Sequence, residues 1–497
     1  MKFPDKITIK KKRSSTGSNQ CYRWWLALAI VLAGFCHSAA ADGTNSFGFI
    51  FDHFHLTLEA GQRTEAAGPF YYSQQTEDES MLAFPPFYSR VSNPSVEYTN
   101  QDFLYPLLTR IQYGQERRWQ LFQLLSFSGG QEPTDADKIR HTIFPFYFSQ
   151  RSKTDTNLDY TAFFPFYGTL KNRLSRDEIH FVLFPIYSET RKKDVVTDNY
   201  LYPFGDVRHG DGMHGWHIWP LVGTEQKIVT LHTNGFGDVE TVGGYKRSFF
   251  LWPLHLKQDN GIGTDNPEKF RASIPLYTYT RSPKLDSTTV IWPFFTWMDN
   301  REKKYREWQM PWPFVIFARG EGKTTSRVFP LFSQSHNDTL ESDFYLWPIY
   351  TFRRTHSDPL DLRRTRVVFY LYENTVEKST QTGIWKQRVD MWPFFTWHRD
   401  FNGNQRLQIF APIEPAVPEN PGVERNWSPL WSLWRAETNP TAGAASQSLL
   451  WNLYRRETAP AHKKVSLLFG LFQYQCDGDS KRTKLFYLTV FKTTAAQ

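Results

Sequence analysis

The sequence predicts an all-β protein: one antiparallel meander of roughly twenty strands, built from ~17–22-residue repeats with an aromatic-Pro-aromatic centre and closed into a large barrel. Three observations predict it. A short aromatic motif with proline at its middle recurs from Pro86 to Pro412. The links between copies carry turn chemistry, such as Asn402-Gly403, Asp477-Gly478 and Asn337-Asp338. The spacing leaves no room for a crossover helix, so successive strands must run antiparallel.

The first segment stands apart from that pattern. Met1 to Arg23 carries seven basic residues against Asp5 alone. An uncharged apolar run follows from Trp24 to Phe35, then the small residues Ser38 to Ala41. A basic region, a short apolar core and an A-x-A site predict a secretory signal peptide over residues 1–41, with the mature chain starting at Asp42. The twelve-residue core is short for a membrane helix. Phe35 between Gly34 and Cys36 breaks the match to a lipoprotein signal.

Removing this segment changes the charge argument. The whole chain has formal net charge +8, but seven basic and one acidic residue leave with the leader. The remainder then carries 51 basic against 49 acidic residues, net +2, which gives no case for nucleic acid as a partner. Of three cysteines only Cys476 remains, so residues 42–497 can form no internal disulfide. A large exported chain without disulfides fits a Gram-negative envelope.

Residues 42–497 read as a single repetitive all-β domain. Phe47 to Phe51 read as an opening strand, followed by a polar link. The repeats then include AFPPFY at Pro86, TIFPFY at Pro145, AFFPFY at Pro165, VLFPIY at Pro185, HIWPLV at Pro220, VIWPFF at Pro293, YLWPIY at Pro348 and DMWPFF at Pro393. Copies without proline keep the aromatic run, as in Arg366 to Tyr372 and Leu449 to Tyr454. The 33 residues from Pro220 to Pro253, which include Thr233 to Asp238, read as a degenerate unit with a longer loop.

Each unit is expected to hold one strand and one turn, with the proline near the strand centre. The residues flanking the proline, such as Trp292 and Phe294, then share one strand face by alternation. Both faces would be apolar at mid-strand. Proline cannot donate to a ladder, so the prolines are expected to mark bends at one common height, a belt that curves the sheet.

No catalytic, cofactor-binding or metal-binding residue is assigned. The stretch from His209 to His217 holds three histidines, but its spacing matches no standard ligand pattern and reads as a solvated Gly-rich turn. His53 and His55 share a strand face without a third ligand. Gly320-Glu321-Gly322-Lys323-Thr324 ends like a phosphate loop, yet Phe317 occupies the place of its first glycine and no helix follows. Cys476 has no evident catalytic partner. The chain is therefore not expected to be an enzyme, and no cofactor is implied.

The signal segment, even strand spacing and abundant aromatics (42 Phe, 24 Tyr, 18 Trp) resemble the outer-membrane β-barrels of Gram-negative bacteria. The resemblance covers the pattern from about residue 47 to the end. It implies an envelope barrel in the outer membrane with a channel, transport or structural role, and outer-membrane lipid as partner. The alternative is a soluble periplasmic or secreted all-β repeat, a solenoid or propeller-like binding protein, whose two apolar strand faces would pack in a protein core.

Overall fold

A computed structural model describes residues 46–132, 135–233 and 239–493. The expected signal peptide 1–41, the expected start at Asp42, residues 234–238 of the degenerate unit and the last four residues lie outside the described residues.

Forty-three strands form one antiparallel meander, and a separate hairpin pairs Thr230–Thr233 with Val239–Val242. That hairpin accounts for the long interval after Pro220. It is looped out, and Val222–Lys227 pairs directly with Gly244–Phe250. The meander is as expected, but the repeat unit holds two strands and two turns rather than one of each. Tyr187–Lys192, Val195–Tyr200 and Gly205–Gly210 are six residues each and pair in succession. Between the last two lies Leu201-Tyr202-Pro203-Phe204.

The prolines therefore sit in turns and not at strand centres. Phe204 N donates to Leu201 O at 3.0 Å, and Leu221 N donates to Ile218 O at 2.8 Å across Trp219-Pro220. The X–Pro bonds of these turns are cis from Pro86 to Pro393. Proline suits this position because it has no N–H to satisfy and its φ is preset. The expected mid-strand belt of bends does not form; the motif prolines line up instead along one edge of the sheet. The turns extend the ladder beyond the strands: Tyr202 N donates to Pro185 O, and Trp252 N to Pro220 O, each at 2.7 Å.

The residues flanking each proline do not share a face. Phe164 packs on buried Phe181 at 5.8 Å, whereas Phe166 stacks on Phe163 at 5.3 Å on the other side. Nor are both strand faces apolar. Ser188, Asn199, Asp206 and His217 align across four strands, one residue in from the turns. Their neighbours on the opposite face include the paired Tyr187 and Tyr200. Farther along, Thr278, Thr289 and Thr296 align on the polar face and Tyr277, Val290 and Phe295 on the other. The sheet thus has a polar face and a face that is apolar near its turns. Apolar core is scarce, the one cluster among the described residues being Tyr160, Ala162, Leu170 and Phe181.

Among the described residues no strand pairing joins Phe51–His55 to Leu488–Thr493, so the ribbon is not closed by a ladder. Its two ends meet instead through their polar faces. Thr57 Oγ1 donates to Ser446 Oγ at 2.6 Å, Asn452 Nδ2 to Glu65 Oε2 at 2.9 Å, and Gln473 Nε2 to Ser46 O at 2.8 Å. Two short helices, Pro421–Asn426 and Ser428–Trp431, interrupt the meander here, which the weak helical periodicity of the sequence does not signal. Asn420 caps the first, its Oδ1 accepting from Val423 N at 3.1 Å.

Candidate functional site: an exposed aromatic edge

Aromatic turns and charged hairpins alternate along the chain, so they occupy opposite edges of the ribbon. The aromatic edge includes Leu183 to Ile186, Leu201 to Phe204, Ile291 to Phe294 and Leu346 to Ile349. The opposite edge includes Lys193-Asp194, Arg301 to Lys304, Glu321 to Lys323 and Asp477 to Asp479. Hairpin spacing alone produces this segregation, because every second turn falls on the same side of a meander.

The residues before the prolines form a side-by-side row. Ring centroids lie 5.4 Å apart for Phe164–Phe184, 5.7 Å for Phe184–Tyr202, 5.6 Å for Trp219–Trp252 and 5.4 Å for Phe329–Trp347. These are ordinary aromatic packing distances. The row remains open to its surroundings: Trp252 is 47 % exposed, Trp292 44 % and Trp347 44 %. Soluble monomers rarely expose apolar patches beyond ~300–600 Å², and this edge continues through the whole meander.

Local backbone preference does not account for the residues chosen. Leu201, Ile291, Leu346 and Val368 have φ of 50°, 50°, 47° and 49°, the left-handed region. Glycine or asparagine fits there without strain, and a β-branched residue is an outlier. Such conformations cost on the order of 1–3 kcal/mol each. The chain thus places bulky apolar side chains where the backbone disfavours them and where the fold leaves them exposed. Sequence reasoning identifies the aromatic runs but puts them in strand centres. The low strand tolerance for proline is the signal that corrects this.

The polar faces of the two ends form the counterpart, a buried ionic seam. Asp102 accepts from Ser89 Oγ at 3.1 Å, Thr109 Oγ1 at 3.1 Å, Arg425 Nη2 at 2.8 Å and Asn426 Nδ2 at 3.2 Å. Glu414 takes Gln408, Ser428 and Trp431. Burial alone would raise the Glu65 carboxyl, but Arg63, Arg435 and Arg455 outweigh it and hold it below its usual range. Burial wins at Asp52, whose carboxyl is pushed up despite Lys464 and Arg455. A cavity of about 170 Å³ between the ends is lined by Arg63, Glu65, Arg406, Arg435, Glu437 and Arg455 among others. Its cations and carboxylates pair with one another, as in Arg63–Glu65 at 2.8 Å.

The histidines that stand close together in the sequence do not converge on one point. His209 pairs across the Asp211-Gly212 hairpin with His214, while His217 turns to the polar face, its Nδ1 2.9 Å from Asp206 Oδ1. His53 Nδ1 lies 2.9 Å from Thr64 Oγ1. Among the described residues no group of three or more His, Cys, Asp or Glu side chains is placed to hold a metal ion. Gly320 to Thr324 form a hairpin whose Lys323 pairs with Glu307 at 2.6 Å. Cys476 lies at a charged hairpin, its Sγ 3.5 Å from Gly478 O. A second cavity, about 400 Å³, opens on the polar face between Tyr202, Trp219 and Trp252 at the rim and Asp206, Arg208 and Glu225 below.

No protein-family model matches the chain, and no curated protein matches it.

Proposed function

We propose that the protein is an exported envelope protein that works at a membrane, with its aromatic edge and the adjoining apolar face in lipid. One observation carries this reading: the side-chain polarity is inverted. Buried positions are mostly Ser, Thr, Asn, Gln and charged residues, while large apolar residues crowd the exposed ones. Outer-membrane barrels share that arrangement, apolar outside and polar within.

Extent favours lipid over a protein partner. A standard interface buries roughly 800 Å² per partner. An aromatic side chain offers ~150–250 Å² when fully buried, so the scores of half-exposed apolar residues here amount to several such interfaces. A bilayer is an apolar medium that continues along the whole edge. The polar face, with pairs such as Arg208–Glu225 at 2.8 Å, faces away from it. The role is that of a wide β-sheet held at the outer membrane, structural in kind.

Membrane fractionation tests the reading. The protein is expected in the membrane pellet after carbonate washing, and detergent is required to keep it in solution. Recovery of folded, monodisperse protein without detergent would overturn it and favour a soluble repeat.

A further inference from the structure

A bilayer has two leaflets, and the dimensions of this sheet match one of them. Most strands beside the aromatic turns are short; Asp135–Phe144 has ten residues, but Lys138, Arg140 and His141 interrupt its apolar length. Tyr187–Lys192, Val195–Tyr200 and Phe295–Asn300 have six residues each, about 20 Å at ~3.4 Å per residue. A membrane-crossing strand needs ~9–11 residues to traverse a hydrocarbon core of ~30 Å. The longer strands Tyr350–Ser357 and Leu360–Val367 add no apolar length, since Arg353, Arg354, Asp361, Arg363 and Arg364 occupy them.

The apolar depth is smaller still. Outside the turns, Tyr187 and Tyr200 form the first outward pair, and the next outward pair is Glu189 with Asp198. On Phe295–Asn300 the outward series is Phe295, Trp297, then Asp299. Charge therefore arrives within about four residues of the turn, some ~10–15 Å, which is the thickness of a single hydrocarbon leaflet.

The inner side of the edge carries the second observation. The residues before the prolines lie on the polar-face side of the turns, as Phe164 does against Phe181. Tyr202, Trp219 and Trp252 stand there above Asn199, Asp206 and His217. A strand crossing into water would end in polar turns on the far side. These turns are instead apolar on both of their sides, and the charged hairpins lie on the opposite edge.

We propose that the protein is monotopic: its aromatic edge enters one leaflet edge-on, acyl chains contact both sides of the turns, and the charged hairpins remain in water on the side of entry. This rests on the membrane reading above and adds depth and orientation to it. Aromatic residues suit the outer part of such an edge, since Trp and Tyr favour the boundary between hydrocarbon and headgroups.

The experiment uses residues 42–497 in phosphatidylcholine vesicles and thiol modification by a large maleimide, before and after the vesicles are opened by a pore-forming toxin. Cys476 reports the charged edge. Phe166→Cys and Ile349→Cys, each with Cys476→Ser, report the aromatic edge. Cys476 is expected to react fully in opened vesicles, and the aromatic-edge thiols at least about tenfold more slowly, because a thiol in hydrocarbon does not ionise. Lipids brominated on their acyl chains should quench the tryptophan emission of the unsubstituted chain, a readout that survives misfolding of either variant. Aromatic-edge thiols that react at the Cys476 rate after opening, with quenching retained, would mean that the edge reaches water on the far side; monotopic insertion is then wrong and membrane contact stands. Failure to float with vesicles and absence of quenching would overturn both.

Discussion

The aromatic edge and the ionic seam invert the usual distribution of polarity. At the edge, Trp292, Trp347 and Ile349 stay about half exposed. At the seam, Asp102, Arg455 and Lys464 are buried. The seam is held mainly by directed pairs such as Arg425–Asp102 and Arg455–Glu457, and the edge by undirected contact along a row of rings. A substitution at the seam should therefore act on folding, and one at the edge on partition into lipid. On the proposed membrane reading the two regions respond to different media, and the difference can be tested region by region.

The largest effect is expected at the seam. Asp102→Ala leaves Arg425 and Asn426 without their shared acceptor. Breaking a buried pair costs about 3–5 kcal/mol, so the midpoint of chemical unfolding should fall sharply while membrane partition of the folded fraction is unchanged. Equal partition loss in this variant would blur the distinction between the regions.

At the edge, Trp347→Arg should act the other way. Arg facing lipid at depth costs roughly 2–4 kcal/mol, and close to nothing at the interface. Vesicle partition should drop by that amount, while unfolding in detergent changes little because the site is exposed. Asn402→Arg at a charged hairpin should alter neither. If Trp347→Arg partitions as the parent does, the edge does not meet lipid.

Gly48 lies where edge and seam join. Its φ is +60°, and a Cβ there would fall 1.3 Å from Phe469 O. Phe47–Tyr487 and Phe49–Phe469 contacts at 5.5 Å flank it. Gly48→Ala is expected to cost about 1–3 kcal/mol through backbone strain alone, and more because the carbonyl must move. Increased protease cleavage near residue 48, with the central strands still protected, is the expected readout.

The smallest effect concerns a charged hairpin. Arg354 binds Asp361 through 2.9 and 3.0 Å contacts and Arg363 adds a third at 3.0 Å. The hydrogen bond from Arg354, with help from Arg363, holds the carboxyl at about 2 against an ordinary 3.8. A depressed carboxylate stabilises the folded state above its unfolded pKa and loses that contribution as pH falls through the folded one. Stability should thus decline between about pH 4 and 2, and Asp361→Asn should flatten that part of the profile.

Much of the architecture is legible in the sequence. Turn chemistry and spacing specify an antiparallel meander, and the aromatic runs stand out as its repeating feature. Their position is not legible in the same way. A run such as Ile291 to Phe295 is rich in strand formers, and alternation around Pro293 mimics a strand centre. Tertiary pairing decides otherwise, because a hairpin of two six-residue strands fits the repeat length and proline fits only its turn. Once the run is a turn, its residues flank different faces, and the polar face carried by Ser188, Asn199 and Asp206 comes into view. The seam leaves no local trace, since Asp102 and Arg425 are 323 residues apart and no short pattern links them.

The central claim, that the aromatic edge meets lipid and the charged edge does not, is tested most directly by photo-crosslinking with a phospholipid whose acyl chain carries a diazirine. Peptide mapping should find adducts at Leu201 to Phe204, Ile218 to Leu221, Ile291 to Phe294 and Leu346 to Ile349, and none at Arg301 to Lys304 or Glu321 to Lys323. Adducts spread equally over both edges, or absent from the aromatic turns of a vesicle-bound chain, would contradict the account.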